Sequence, residues 1–134
     1  MARAWRIEYD GALYHVLSRG NQRQTIYVDD EDRLLFLERL SEMAARFEVE
    51  CFAYVLMSNH YHLLLRTRRA NLSKAMQWLG VAYSSRFNLK NHCSGHLFQG
   101  RFKSMLVEND AYLLQLSYYI HRNPLRAKIV ERLA

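Results

Sequence analysis

The residues His60-Tyr61-His62 carry the sharpest chemical signal in the chain. They follow Ser58-Asn59, a turn pair, and lead into Leu63-Leu64-Leu65, so they open a largely apolar strand. On a strand, residues i and i+2 share a face. His60 and His62 would then present two imidazoles side by side, with Tyr61 turned to the opposite face. Two neutral imidazoles on a rigid element form half of a metal site. The same pattern also occurs in histidines that only pack or face solvent, and the triplet alone leaves both readings open. Zinc-hydrolase chemistry lacks its partners, because there is neither a His-Glu-x-x-His nor the His-x-Glu with Pro-Cys-x-x-Cys of nucleoside deaminases. Cys51 lies nine residues before the pair on the adjoining strand, so a cysteine-containing site is open but unsupported.

A second group lies in Tyr118-Tyr119-Ile120-His121-Arg122-Asn123-Pro124. On a helix, Tyr119 and Asn123 are one turn apart and share a face. A phenol can attack phosphorus and leave a covalent phosphotyrosine. With a free pKa of about 10 it needs help from a cation or a base near neutral pH. A divalent cation held by two imidazoles and an amide oxygen would polarise the scissile phosphate. Amphipathic packing accounts for Tyr112, Tyr118 and Tyr119 equally well when they are taken alone. Asn123 also precedes Pro124, which biases it out of the α conformation and towards the helix end.

The elements that must position these groups follow from periodicity and turn chemistry. Tyr14-His-Val-Leu-Ser18 is β-prone and stops at the turn signal Arg19-Gly20-Asn21. Asp29-Asp30-Glu31-Asp32 supplies an N-cap and acids for a helix start, and apolar residues from Leu34 to Phe47 recur at helical spacing. Helix one therefore covers 30–47. Val49 to Met57 and His60 to Thr67 read as two strands of a hairpin. Asn71 is the expected N-cap of a second helix through Phe87. Residues 88–100 read as a loop, Arg101 to Val107 as a strand, and Ala111 to Pro124 as a third helix. The order β-α-β-β-α-β predicts an α+β, ferredoxin-like antiparallel sheet with two helices on one face, followed by a C-terminal helix carrying the tyrosine.

Composition narrows the partners. The 134 residues fit one domain spanning 1–134, with half of them hydrophobic and 24 % charged, which excludes disordered and low-complexity classes. No apolar run is long enough to span a membrane and no signal peptide opens the chain, so a cytoplasmic location is expected. Residues 1–50 carry seven Arg and ten acids, whereas 51–134 carry twelve Lys/Arg and three acids. A basic excess gathered in one region is the footprint of a polyanion binder, or else a solvated basic face.

Longer stretches then make a family resemblance. Tyr14-His-Val-Leu-Ser-Arg-Gly-Asn21, Tyr54-Val-Leu-Met-Ser-Asn-His-Tyr-His62, Gly95-His-Leu-Phe-Gln-Gly-Arg-Phe102 and Tyr119-Ile-His-Arg-Asn-Pro-Leu-Arg-Ala127 occur in order, together with the Asp29–Arg33 helix start. The sequence resembles the HUH single-tyrosine transposases, and is most similar to REP-associated tyrosine transposases. The resemblance implies a ferredoxin-like sandwich, with His60 and His62 binding Mg²⁺ or Mn²⁺ and Asn123 as third ligand, where insertion-sequence relatives tend to have Gln. It implies Tyr119 as the nucleophile that forms a 5′-phosphotyrosine and releases a 3′-OH. Its expected DNA is single-stranded with a hairpin or palindromic repeat. Relatives act either alone or as homodimers that exchange tyrosines. The chain departs from the family in ending at Ala134, without the usual aromatic, Ser-rich extension, and in having Lys128 where Gly is frequent.

The expected activity is thus a metal-dependent single-strand DNA endonuclease and strand-transferase, with a non-cleaving ferredoxin-like nucleic-acid-binding module as the alternative. Arg19, Arg86, Arg101, Lys103, Arg122 and Arg126 are the expected phosphate contacts, with Lys90 a further basic candidate. Phe98, Phe102 and Trp78 are candidates to stack on unpaired bases, or to pack in the core. No Gly-rich phosphate loop occurs, which argues against nucleotide-driven chemistry.

Overall fold

In the computed structural model, residues 8–108 and the strand 127–129 are described. β1 (Leu13–Arg19) is followed by a short 3-10 turn (Asn21–Arg23), α1 (Asp30–Phe47), β2 (Val49–Leu56), β3 (His60–Thr67), α2 (Leu72–Lys90) and β4 (Lys103–Leu106). A further strand, β5 (Ala127–Ile129), was not expected from the sequence. The sheet order is β4-β1-β3-β2-β5, with every pairing antiparallel. The first four strands make the ferredoxin-like βαββαβ arrangement, and β5 extends it along β2. The expected third helix lies outside the described residues, and with it Tyr119, Arg122, Asn123 and Arg126.

Local chemistry explains the elements. The Asp29 carboxylate accepts from the Asp32 amide at 3.0 Å and three further acids occupy the first turn of α1, which meets the helix dipole. The turn between β2 and β3 closes tightly through Met57 N to His60 O at 2.9 Å. In β2 the register shifts between Cys51 and Ala53, a bulge at Phe52. Asn71 holds the expected N-cap position of α2, but its side chain makes no cap bond and its side-chain amide donates to Phe47 O at 2.9 Å. Glu8 takes the capping role instead, accepting from Ser73 N at 2.8 Å and from Ser73 Oγ at 3.2 Å. A residue 65 positions away was invisible to local capping rules.

The core fills the space between one sheet face and the two helices. Tyr14, Val16, Tyr61, Leu63 and Leu65 point from the strands into Phe36, Leu40 and Met43 of α1 and Leu72, Met76, Leu79 and Tyr83 of α2. Tyr83 donates its hydroxyl to Ile26 O, which satisfies a polar group that burial would otherwise penalise. The segment after β1 is pinned to the hairpin turn, with Gly20 N donating to Asn59 O at 2.9 Å and Ile26 N to Ser58 O at 2.8 Å. Glycine is required here by close approach, since a Cβ on residue 20 would lie 2.2 Å from Gln24 O.

The ends of the helices are tied by a buried carboxylate. Asp32 is fully buried; its Oδ2 accepts from Val28 N at 2.9 Å and its Oδ1 lies 3.2 Å from Lys90 Nζ. Lys90 also lies 3.2 Å from Asp29 Oδ2, so one ammonium bridges the start of α1 and the end of α2. This engages Lys90 within the fold rather than with a phosphate. Removing the acceptor leaves the part-buried Val28 amide without its carboxylate and takes one of two carboxylates from Lys90, with Asp29 remaining. Asp32→Ala should therefore destabilise the protein by about 2 kcal/mol, read as a lowered urea midpoint with an unchanged slope. A midpoint equal to wild type would show that the bridge contributes nothing.

Candidate active site

The site face is set by strand alternation. Tyr61 points into the core, where its ring lies 4.8 Å from Phe36 and 5.9 Å from Phe98. His60 and His62 therefore occupy the face away from the helices, with ring centroids 5.2 Å apart. This is the juxtaposition the triplet predicted. Cross-strand partners line up beside it in the row Lys103, Leu17, His62, Val55 and Ala127, while Arg19 pairs with His60. Below the histidines, Ala53, Val55 and Leu64 are buried and form a small apolar floor.

A third histidine joins them. His15 Nε2 lies 2.8 Å from His62 Nδ1, and the two rings meet edge to edge with their centroids 5.1 Å apart. Sequence reading missed it, although the signal was present. Tyr14, Val16 and Ser18 alternate inward on β1, which leaves His15 on the same face as the pair once β1 and β3 are neighbours. On the other side, His60 Nδ1 is 2.9 Å from Asn59 Oδ1. An amide oxygen only accepts, so His60 donates from Nδ1 and its lone pair is on Nε2.

Electrostatics keep these rings neutral. Burial lowers the pKa of His62 to about 4, and the neighbouring His15, His60 and Arg19 act in the same direction. His60 is lowered by burial and by the Arg19 guanidinium, and His15 by burial. Neutral imidazole is the metal-ligating form, so the pair fits a divalent cation in charge state. Among the described residues, no cluster of three or more His, Cys, Asp or Glu side chains that could hold a metal is present. Cys51 does not join the pair. It is buried on the core side, bonded to Ala53 O, and its thiol is pushed up to about 12. Tyr61 is likewise unsuited to attack, since burial raises its phenol far above the ordinary value.

The expected DNA contacts divide between the two sides of the sheet. Arg19 and Lys103 are exposed and share the histidine face. Arg86 is exposed on α2, and Arg101 lines a groove of about 830 Å³ between α2 and the 95–102 loop, on the helix side. Phe98, Phe102 and Trp78 are partly buried against the main core, so packing accounts for their aromatic surfaces. Residues 51–107 hold eight Lys/Arg and no acid, which gives both sides a positive bias.

A family model, "Transposase IS200 like", matches residues 8–123. The chain belongs to the IS200-like transposase family. Its fold agrees with solved structures of low sequence identity. A REP-associated tyrosine transposase bound to a REP hairpin is 17 % identical with a TM-score of 0.76, covering 93 % of this chain and 73 % of that one. A protein assigned as a transposase from Deinococcus radiodurans R1 is 19 % identical with a TM-score of 0.60, covering 92 % of this chain and 96 % of its own. The tRNA(His) guanylyltransferase of Saccharomyces cerevisiae, at 12 % identity and a TM-score of 0.56, covers 90 % of this chain and 62 % of its own, which shows how widely the fold is shared. No curated protein sequence matches the chain. Among the described residues of this transposase-family chain, no helix is long and apolar enough to cross a membrane.

The lowered histidines predict an acid-sensitive fold. An unfolded chain protonates His62 near 6.5, whereas the folded one keeps it neutral down to about 4. Between those values the unfolded state binds more protons, so stability is full above 6.5 and is lost as the pH falls towards 4. In the presence of a chelator, the wild-type Tm should fall by several degrees across this window, and His62→Leu should flatten that part of the profile. Parallel profiles for the two proteins would contradict the shift.

Proposed function

We propose that this transposase-family chain cuts and rejoins hairpin-bearing single-stranded DNA through a 5′-phosphotyrosine on Tyr119. His60 and His62 would hold Mg²⁺ or Mn²⁺, with Asn123 as a third ligand. The observation that carries this reading is the pair of neutral imidazoles side by side on the sheet face, in a chain whose family match includes Tyr119 and Asn123. Hairpin DNA is favoured because the REP-associated relative of similar fold is bound to a REP hairpin.

The chemistry is a balanced exchange. Tyr119 Oη forms a bond to phosphorus as the P–O3′ bond breaks; the phenol loses its proton and the departing 3′ oxygen gains one. Attack by a 3′-OH on the phosphotyrosine reverses the step, so rejoining needs no energy cofactor. His60 and His62 would hold the divalent cation, which would supply positive charge to the reacting phosphate. The chain's own task is to hold two rigid neutral imidazoles beside the strand and to guide DNA over the same face. Arg19 and Lys103 suit that guidance, with Arg86 and Arg101 reaching DNA from the helix side and Arg122 and Arg126 flanking the Asn-Pro segment.

Covalent capture tests the reaction. With a cognate hairpin and Mn²⁺, wild type should form a denaturant-stable protein–DNA adduct that Tyr119→Phe abolishes and Tyr118→Phe retains. An adduct that persists in Tyr119→Phe moves the nucleophile elsewhere. Tight hairpin binding with no adduct favours the non-cleaving module. The phosphate contacts are tested separately by titrating affinity against salt. Arg19→Ala and Lys103→Ala should each reduce the slope of log K against log salt by about 0.7 on single strands, and unchanged slopes would remove both residues from the interface.

A further inference from the structure

The bond between His15 and His62 has two forms with opposite chemical consequences. In one, His62 Nδ1–H donates to His15 Nε2, and His62 carries its lone pair on Nε2. In the other, His15 donates, His62 Nδ1 accepts, and His62 Nε2 carries the hydrogen. Only the first leaves His62 an Nε2 lone pair, because Nδ1 is already engaged at 2.8 Å by His15. The first form also matches His60, whose Nδ1 donates to Asn59 and whose lone pair is on Nε2. We propose that His15 is a positioning residue that accepts from His62 Nδ1–H, fixing the tautomer and ring orientation in which His62 can ligate a divalent cation.

The placement supports more than a chance contact. His15 reaches His62 from the neighbouring strand, and their rings meet edge to edge, centroids 5.1 Å apart with 27° between planes, so the bond is aligned close to the plane of both rings. Each histidine of the pair then has its own Nδ1 acceptor, Asn59 for His60 and His15 for His62. Partners that orient a ligating imidazole in this way typically matter by about 10–100-fold in metal affinity. The inference rests on His60 and His62 being the cation ligands, and it concerns which residue prepares one of them.

Two substitutions separate the hydrogen bond from the packing. His15→Phe keeps an aromatic ring beside His62 and removes the acceptor, whereas His15→Gln offers an amide oxygen near the position of Nε2. Mn²⁺ binding by calorimetry, on proteins with matching thermal melts, should weaken by about 10-fold or more in His15→Phe and stay within about threefold in His15→Gln. In metal-free wild type, ¹⁵N NMR should report His62 protonated on Nδ1; in His15→Phe that preference should be lost. An Nε2–H tautomer of His62 in wild type overturns the proposal even if the variants do not fold. Unchanged affinity in His15→Phe, or equal losses in His15→Phe and His15→Gln, overturns it as well. Failure of wild type to bind Mn²⁺, or equal binding by a His60→Ala, His62→Ala double variant, would instead defeat the metal reading on which it rests.

Discussion

Tyr61 is the fixed point from which the face of the sheet is set. Its ring is enclosed by Phe36, Phe98 and the main core, and strand alternation then leaves His60 and His62 no face but the opposite one. A one-residue slip of β3 would bury both imidazoles among apolar side chains and expose the phenol. The two-residue turn and its bonds to Gly20 and Ile26 hold that register at the end where the histidines sit. The stability of the core and the geometry of the candidate site are therefore one constraint.

The same arrangement sets the charge state of the site. Half-buried imidazoles beside one another and beside Arg19 are held below the usual imidazole range, so at neutral pH the sheet face offers lone pairs rather than positive charge at its centre. Cationic side chains stand around it, with Arg19 opposite His60 and Lys103 along the row of His62. A phosphodiester approaching such a face would meet attraction at the edge and ligating nitrogens in the middle. Carboxylates are gathered instead at the start of α1, where Asp29 and Asp32 cap the helix and engage Lys90. The lopsided charge of the two halves thus serves different purposes.

Much of this was legible from the sequence because it rests on local rules. Helix α1, the hairpin and the shared face of His60 and His62 follow from capping acids, apolar spacing and alternation. What escaped depended on distant partners. Glu8 supplies from across the fold the side-chain acceptor that Asn71 does not, and β5 is three residues long with no pattern of its own. His15 had the right parity on β1, but its meeting with His62 needed the β1–β3 register. Arg86, Arg101 and Lys103 are close in sequence, yet Lys103 shares the histidine side with Arg19 while Arg101 lies on the helix side. The family match spans residues 8–123, which include the histidine strand as well as Tyr119 and Asn123.

The central claim is that two strand-borne imidazoles on this face hold a catalytic divalent cation. Pulsed electron paramagnetic resonance of the Mn²⁺-loaded protein reads the ligands directly through their nitrogen couplings. The account predicts two imidazole nitrogens in the coordination sphere, both lost in a His60→Ala, His62→Ala double variant. A Mn²⁺ ion bound entirely by oxygen, with no imidazole coupling, would contradict it.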